Sequence, residues 1–125
     1  MAENEIARII VDAAYKIHTE IGPGLLESAY QALLSLELKK RNLSIKTEVP
    51  MPLTYDGIHL DIGYRADIIV EDKVIVELKS VEKISEVHKK QLLTYLKVSN
   101  KRLGLLINFS ALLIRDGISR VANHL

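Results

Sequence analysis

Residues 64–79 read YRADIIVEDKVIVELK, and this stretch decides the fold of the chain. Two runs rich in valine and isoleucine flank the charged segment Glu71–Lys73. Such runs, separated by a short polar segment, are typical of a β-hairpin. The pattern therefore predicts two antiparallel strands joined by a three-residue turn centred on Asp72.

This predicted hairpin brings two carboxylates together. In its register Asp67 faces Glu77, and Arg65 faces Lys79. Like charges that face each other destabilise a strand pair, but a divalent cation between them relieves the repulsion, and oxygen ligands suit Mg²⁺ or Mn²⁺. Lys79 follows Glu77 by two residues and therefore lies on the same face. Two acids and one ammonium group are the smallest set that metal-assisted phosphodiester hydrolysis needs.

The simpler explanation for a Glu-x-Lys sequence is an ion pair on the solvent face of a strand. The surrounding residues favour the functional interpretation, because Ile69 and Ile75 share the face of the two acids. That face is therefore partly buried, and buried carboxylates require partners.

Composition limits the protein class. The 125 residues predict one domain, 1–125. No apolar run reaches the length of a membrane span, and the acidic N-terminus lacks the pattern of a signal peptide. Without cysteine the chain has neither disulfides nor a thiolate zinc site, and a cytoplasmic location is the default expectation. A net charge of +1 neither requires nor excludes nucleic acid.

Hydrophobic periodicity predicts the remaining elements. We expect helices over 4–21, 25–41 and 84–98, and strands over 44–55, 58–70, 73–79 and 103–108. The second helix is expected to bury a stripe formed by Leu26, Ala29, Leu33 and Leu36. The tail is expected to form a strand near 111–115 and a helical turn near 116–123. The order predicts an α/β (α+β) fold with a mixed central sheet flanked by helices.

The first strand contains two prolines, Pro50 and Pro52. Proline cannot donate to a strand ladder, so this strand is expected to lie at an edge of the sheet or to be broken there.

Two helices carry further polar candidates. On the third helix, Gln91 and Tyr95 share a face with His88. A polar stripe on an amphipathic helix is the simpler explanation; the alternative is that Gln91 and Tyr95 hold a phosphate or the metal-bound water. On the second helix, Glu27 suits the helix dipole without any function, or supplies another carboxylate to the metal. Tyr30 lies one turn further on, within reach of Glu27.

These motifs resemble a known family. The pattern Gly24-x-x-Glu27-x-x-Tyr30 is the signature that gives the GxxExxY protein family its name. The resemblance covers nearly the whole chain and includes the segments 64–67, 76–79, 91–96 and 103–109. This family is placed in the PD-(D/E)XK nuclease superfamily, and Gln91-x-x-x-Tyr95 resembles the extra motif of its RecB-type branch.

The resemblance implies a restriction-endonuclease-like core, ordered helix, three strands, helix, strand. It implies that Asp67 and Glu77 hold Mg²⁺ or Mn²⁺, that Glu27 completes the metal site, and that Lys79 positions or activates the attacking water. It also implies that Gln91 and Tyr95 organise the substrate and the surroundings of the metal ligands, and to this group we add Tyr30, Arg65 and His88. Ala66 stands where the superfamily has proline.

The resulting hypothesis is a magnesium-dependent nuclease that hydrolyses nucleic-acid phosphodiesters, with DNA as the expected substrate. The alternative is a non-catalytic module of the same fold that binds nucleic acid or protein. A chain of this size has little beyond the core, which leaves room for a homodimer or a partner protein. The sequence does not distinguish strand structures of the substrate, or endonuclease from exonuclease.

Overall fold

The computed structural model describes residues 1–125, except for the side chain of Ile62. The helices are α1 (Glu3–Ile21), α2 (Glu27–Lys40), α3 (Glu86–Ser99) and the single turn α4 (Ile114–Gly117). The strands are β1 (Ile45–Tyr55), β2 (Ile58–Val70), β3 (Val74–Lys79), β4 (Leu103–Asn108) and β5 (Ile118–Ala122). Seven of these elements were expected, with bounds that differ from the prediction by no more than about two residues.

One five-stranded sheet orders its strands β1-β2-β3-β4-β5. Only β3 and β4 are parallel; the other neighbours are antiparallel. The parallel pair is possible because α3 connects the end of β3 to the start of β4 and so crosses the sheet from one end to the other. β1 lies at an edge, as Pro50 and Pro52 predict. Asp56 and Gly57 both have positive φ, which forms the tight turn between β1 and β2.

The two faces of the sheet pack differently. α1 and α2 cover one face and bury the larger apolar cluster, which takes Val74, Val76 and Leu78 from β3. α3 covers the other face with a smaller cluster that includes Ile69 and Ile75. Since side chains alternate along β3, Glu77 and Lys79 project from the α3 face. We refer to these as the α1/α2 face and the α3 face.

Two local predictions were wrong. α2 buries Tyr30, Leu34 and Leu38, whereas Leu26 and Leu36 are exposed. The helix contains leucines on several sides, so periodicity alone allowed two stripes, and α2 begins only after Leu26.

In the tail, the helical turn comes first and the strand second. All six residues of β4 are buried. β5 pairs with the free edge of β4, which supplies hydrogen-bond partners for a backbone that water does not reach.

The hairpin of β1 and β2 changes face at Glu48 and Asp67. Thr47 pairs with Ile68 and Val49 with Ala66, but the described ladder omits the pair between them. Glu48 has a φ of 53°, outside the range of a regular strand. Ile68 therefore packs into the α1/α2 face, while Ala66, two residues away, packs into the α3 face.

The layers, strand order and mixed sheet form a restriction-endonuclease-like α/β fold, which confirms the predicted class. Within the described structure, no helix combines the length and the apolar character that crossing a bilayer requires.

Candidate active site

Asp67 lies where both flanking ladders are interrupted. The β2–β3 ladder follows the predicted register through Ile68 and Val76, and its described pairs end there. In place of a backbone pair, the Asp67 carboxylate accepts a hydrogen bond from the Leu78 N–H at 2.8 Å. This bond holds the Asp67 side chain beside the end of β3, the strand that carries the second acid.

Glu77 is the more buried of the two acids. Its Oε1 atom is inaccessible to water and has no hydrogen-bond partner among the described residues. Burial, followed by the charge of Asp67, raises the pKa of Glu77 to about 8. Burial also raises the pKa of Asp67, and the Leu78 N–H opposes that rise. Near neutral pH the metal-free pair therefore retains a proton on Glu77.

Lys79 lies on the same face as the two acids. Its positive charge lowers the pKa of both Asp67 and Glu77, which places the ammonium group within electrostatic range of each. Lys79 also pairs with Asn108 of β4 in the parallel ladder. The three residues Asp67, Glu77 and Lys79 therefore meet as the sequence predicts.

Glu27 reaches this edge of the sheet from α2. Its Oε1 accepts a hydrogen bond from the Ser80 N–H at 2.8 Å, directly after Lys79. Its charge contributes to the raised pKa of Asp67. Within the described part of the chain, however, no three histidine, aspartate or glutamate side chains lie close enough together to hold a metal ion. Glu27 holds the backbone of Ser80 through Oε1, and its assignment as a third metal ligand stays a prediction.

A divalent cation fits the pair Asp67 and Glu77. A buried carboxylate oxygen without a partner is costly, and the charge of Asp67 raises the pKa of Glu77, so the two acids repel when both are ionised. A cation between them would satisfy the unpaired oxygen and cancel the repulsion. Oxygen donors of this kind match Mg²⁺ and Mn²⁺.

The α3 residues divide into two groups. The ring of Tyr95 stacks on Tyr64 of β2, with ring centroids 3.4 Å apart, and Gln91 lies one turn before Tyr95 on the exposed surface. His88 instead caps the helix: its Nδ1 accepts a hydrogen bond from the Ser85 N–H at 3.1 Å. Tyr95 therefore lies against Tyr64 on the α3 face, whereas the His88 ring is engaged at the start of α3.

Two other predicted residues do not join the acids. Arg65 was expected to face Lys79, but the change of face at Asp67 turns it away, and its guanidinium lies 3.5 Å from Glu48. Tyr30 is buried in the α1/α2 face, where its ring stacks on Phe109 with centroids 4.3 Å apart. The Tyr30 hydroxyl donates to the Gly22 carbonyl rather than to Glu27.

Sequence reasoning missed two residues that shape the site. Tyr64 takes the place expected for Arg65 on the α3 face. Asn108 is buried; its Nδ2 donates to the Val81 carbonyl at 2.8 Å, and its Oδ1 accepts from the Val81 N–H at 3.2 Å. It thereby fixes the segment that follows Lys79. An asparagine that ends an apolar strand was the available signal, since a buried amide requires partners.

The fold, with two acids beside a lysine at one end of β3, is typical of nuclease-like domains. A family model described as the PD-(D/E)XK nuclease superfamily matches residues 4–121. The chain belongs to this superfamily.

The comparison with solved structures supports the fold alone. The chain is similar to the solved structure "Crystal structure of SSO0001", with a TM-score of 0.56 and 21% identity. The match covers 93% of this chain and 67% of that chain. None of the curated proteins compared with the chain matches it.

Proposed function

We propose that this protein is a magnesium- or manganese-dependent nuclease that hydrolyses phosphodiester bonds in nucleic acid, with DNA as the expected substrate. The observation that carries the proposal is the half-buried pair Asp67 and Glu77 beside Lys79, in which the Glu77 Oε1 atom is inaccessible to water and lacks a partner. Membership in a nuclease superfamily supports the same chemistry.

Asp67 and Glu77 are the residues that would hold the cation. The Asp67 side chain is already oriented for this role, because one of its carboxylate oxygens accepts a hydrogen bond from the Leu78 N–H. Glu77 must release its proton to bind a cation. When bound, a divalent ion lowers the pKa of water and offsets negative charge on the phosphate.

Lys79 is the residue that meets the reacting phosphate or the attacking water. Its ammonium group can donate hydrogen bonds to the water, and it stabilises the negative charge that develops as the new P–O bond forms and the old one breaks. Gln91 and Tyr95 lie on α3, which covers the acids, and we assign them to contacts with the substrate. Glu27 holds Ser80 and so positions the backbone that follows Lys79.

Finer assignments extend this proposal. The motif Gly24-x-x-Glu27-x-x-Tyr30 supports membership in the GxxExxY family, and Gln91-x-x-x-Tyr95 supports the RecB-type branch. We expect the protein to act in the cytoplasm, as a homodimer or with a partner protein that helps to select the substrate.

A cleavage assay tests the proposed function. Labelled single-stranded, duplex and four-way-branched DNA, and RNA, are incubated with Mg²⁺ or Mn²⁺. We expect the wild type to cut at least one substrate, and Asp67→Asn and Lys79→Ala to lose at least about 10³-fold in rate, which corresponds to about 4 kcal/mol of transition-state stabilisation.

Asp61→Asn is the matched control, since Asp61 is an exposed aspartate on the same strand, before the change of face. It should cut at the wild-type rate. Cleavage by Asp67→Asn at that rate would refute the site, and binding of nucleic acid without cleavage would favour the non-catalytic module.

A further inference from the structure

Tyr64 has a buried hydroxyl group that the packing of its ring does not explain. The Tyr64 hydroxyl oxygen is inaccessible to water and has no hydrogen-bond partner among the described residues. The Tyr64 ring stacks on Tyr95 with an angle of 9° between the ring planes. A phenylalanine ring would stack equally well, so packing explains the ring and not the hydroxyl.

A buried hydroxyl without a partner destabilises the folded protein, and such groups therefore indicate a missing partner or a functional role. Tyr64 lies near one suitable acceptor. Glu77 is the charged group that acts most strongly on the Tyr64 hydroxyl, and burial together with that charge raises the pKa of Tyr64. The Glu77 Oε1 atom is itself buried and unpaired. A donor and an acceptor without partners thus lie on the same face of the sheet.

The two groups are complementary in their hydrogen-bonding chemistry. The Tyr64 hydroxyl is a donor without a partner, and the Glu77 Oε1 atom is an acceptor without a partner. A carboxylate that holds a cation offers only lone pairs to its other neighbours, and a phenol is a good donor to a carboxylate.

We propose that Tyr64 is a positioning residue whose hydroxyl donates a hydrogen bond to the Glu77 carboxylate, directly or through one buried water, when a divalent cation is bound. This inference rests on the proposed function, because it assumes that Asp67 and Glu77 hold the cation. A hydrogen bond to the outer side of a metal-binding carboxylate fixes its orientation, and loss of such a bond weakens metal binding by roughly 10- to 100-fold.

Calorimetric titration of the whole chain with Mn²⁺ tests the proposal. We expect Tyr64→Phe to bind Mn²⁺ about tenfold more weakly than the wild type. The metal-free variant should unfold at the wild-type temperature or above it, because it retains the ring stack and loses an unpaired hydroxyl. A purely structural role would give the opposite result, with lower stability and unchanged affinity. Tyr55→Phe is the matched control, as Tyr55 is exposed at the turn between β1 and β2, and it should bind Mn²⁺ like the wild type.

Tyrosine absorbance gives a second measurement. The chain has five tyrosines and no tryptophan, so tyrosine dominates its near-ultraviolet spectrum. We expect Mg²⁺ to change this spectrum in the wild type and in Tyr95→Phe, but not in Tyr64→Phe. If Tyr64→Phe does not fold, the spectrum of Tyr95→Phe decides the question, since a change there supports the proposal and no change overturns it.

The outcomes separate the two proposals. Equal Mn²⁺ affinity of the wild type and Tyr64→Phe would overturn the role of Tyr64 and leave the metal site intact. Absence of Mn²⁺ binding by the wild type would overturn the proposed metal-dependent function, and the role of Tyr64 with it.

Discussion

The two faces of the sheet contrast in what they bury. The α1/α2 face buries mainly aliphatic side chains, with Tyr30 and Phe109 stacked among them. The α3 face buries a smaller apolar cluster and, beside it, the unpaired oxygens of Tyr64 and Glu77. The larger apolar cluster on the α1/α2 face contributes most of the free energy of folding. The unpaired polar groups on the α3 face lower the stability of the folded protein, and the α1/α2 face compensates for that loss.

The largest expected effect tests the α1/α2 face. Leu34 is fully buried on α2, so Leu34→Ala should lower the free energy of unfolding by about 2–5 kcal/mol. Denaturant titration measures the loss. Leu36→Ala, on the exposed side of the same helix, should change stability by no more than about 0.5 kcal/mol. Similar losses for both variants would contradict the observed orientation of α2.

The next effect concerns the α3 face. A Cβ atom on Gly104 would lie 2.8 Å from Cδ2 of Leu92, so Gly104→Ala requires the buried Leu92 side chain to move. We expect a loss of about 1–3 kcal/mol in the free energy of unfolding. Adding Leu92→Val should recover part of that loss by making room. Wild-type stability of the single variant would show that α3 is more loosely packed than the structure indicates.

A third comparison uses pH in the absence of metal. The folded-state pKa of Glu77, about 8, lies above its ordinary value of 4.5, so the folded protein binds more protons than the unfolded chain between these values. Wild-type stability should therefore fall as pH rises from about 4.5 to 8, relative to Glu77→Gln, which cannot ionise.

Denaturant titrations across this pH range, with a chelator present, would measure the difference. Parallel curves for the two proteins would contradict the buried state of Glu77. Saturating Mg²⁺ should remove the decline in the wild type, because the cation favours the ionised carboxylate.

The smallest expected effect lies at the turn between β1 and β2. Tyr55 is 72% exposed there, so Tyr55→Ser should change the free energy of unfolding by no more than about 0.5 kcal/mol. Thermal unfolding would measure it. A loss above about 1 kcal/mol would show that Tyr55 is packed in the folded protein. The end of this hairpin would then contribute to stability, as the two packed faces of the sheet do.

The sequence was sufficient to predict where the two acids lie, because two strong local patterns coincide at β3. The alternation of Val74, Val76 and Leu78 with Ile75 and Glu77 sets the faces, and the turn at Asp72 sets the register. Both signals depend on neighbouring residues alone, so the meeting of Asp67, Glu77 and Lys79 followed from them.

Other parts of the site depend on contacts that periodicity does not contain. No residue type marks the change of face at Glu48, so alternation placed Arg65 on the α3 face instead of Tyr64. Glu27 and Tyr30 share one turn of α2 but have different partners, Ser80 and Gly22, which only the packing of α2 against the sheet determines.

The change of face at Asp67 makes the hairpin of β1 and β2 an exchangeable module. Its alternation is reset at Glu48 and Asp67, so the alternation of the residues before Asp67 does not decide on which face the acids lie. Related chains can therefore lengthen or shorten the hairpin beyond the pair Met51 and Tyr64 while Asp67 and Glu77 stay on the same face. We expect length and sequence differences among such chains to concentrate there, with Tyr64 as the residue through which the hairpin approaches Glu77.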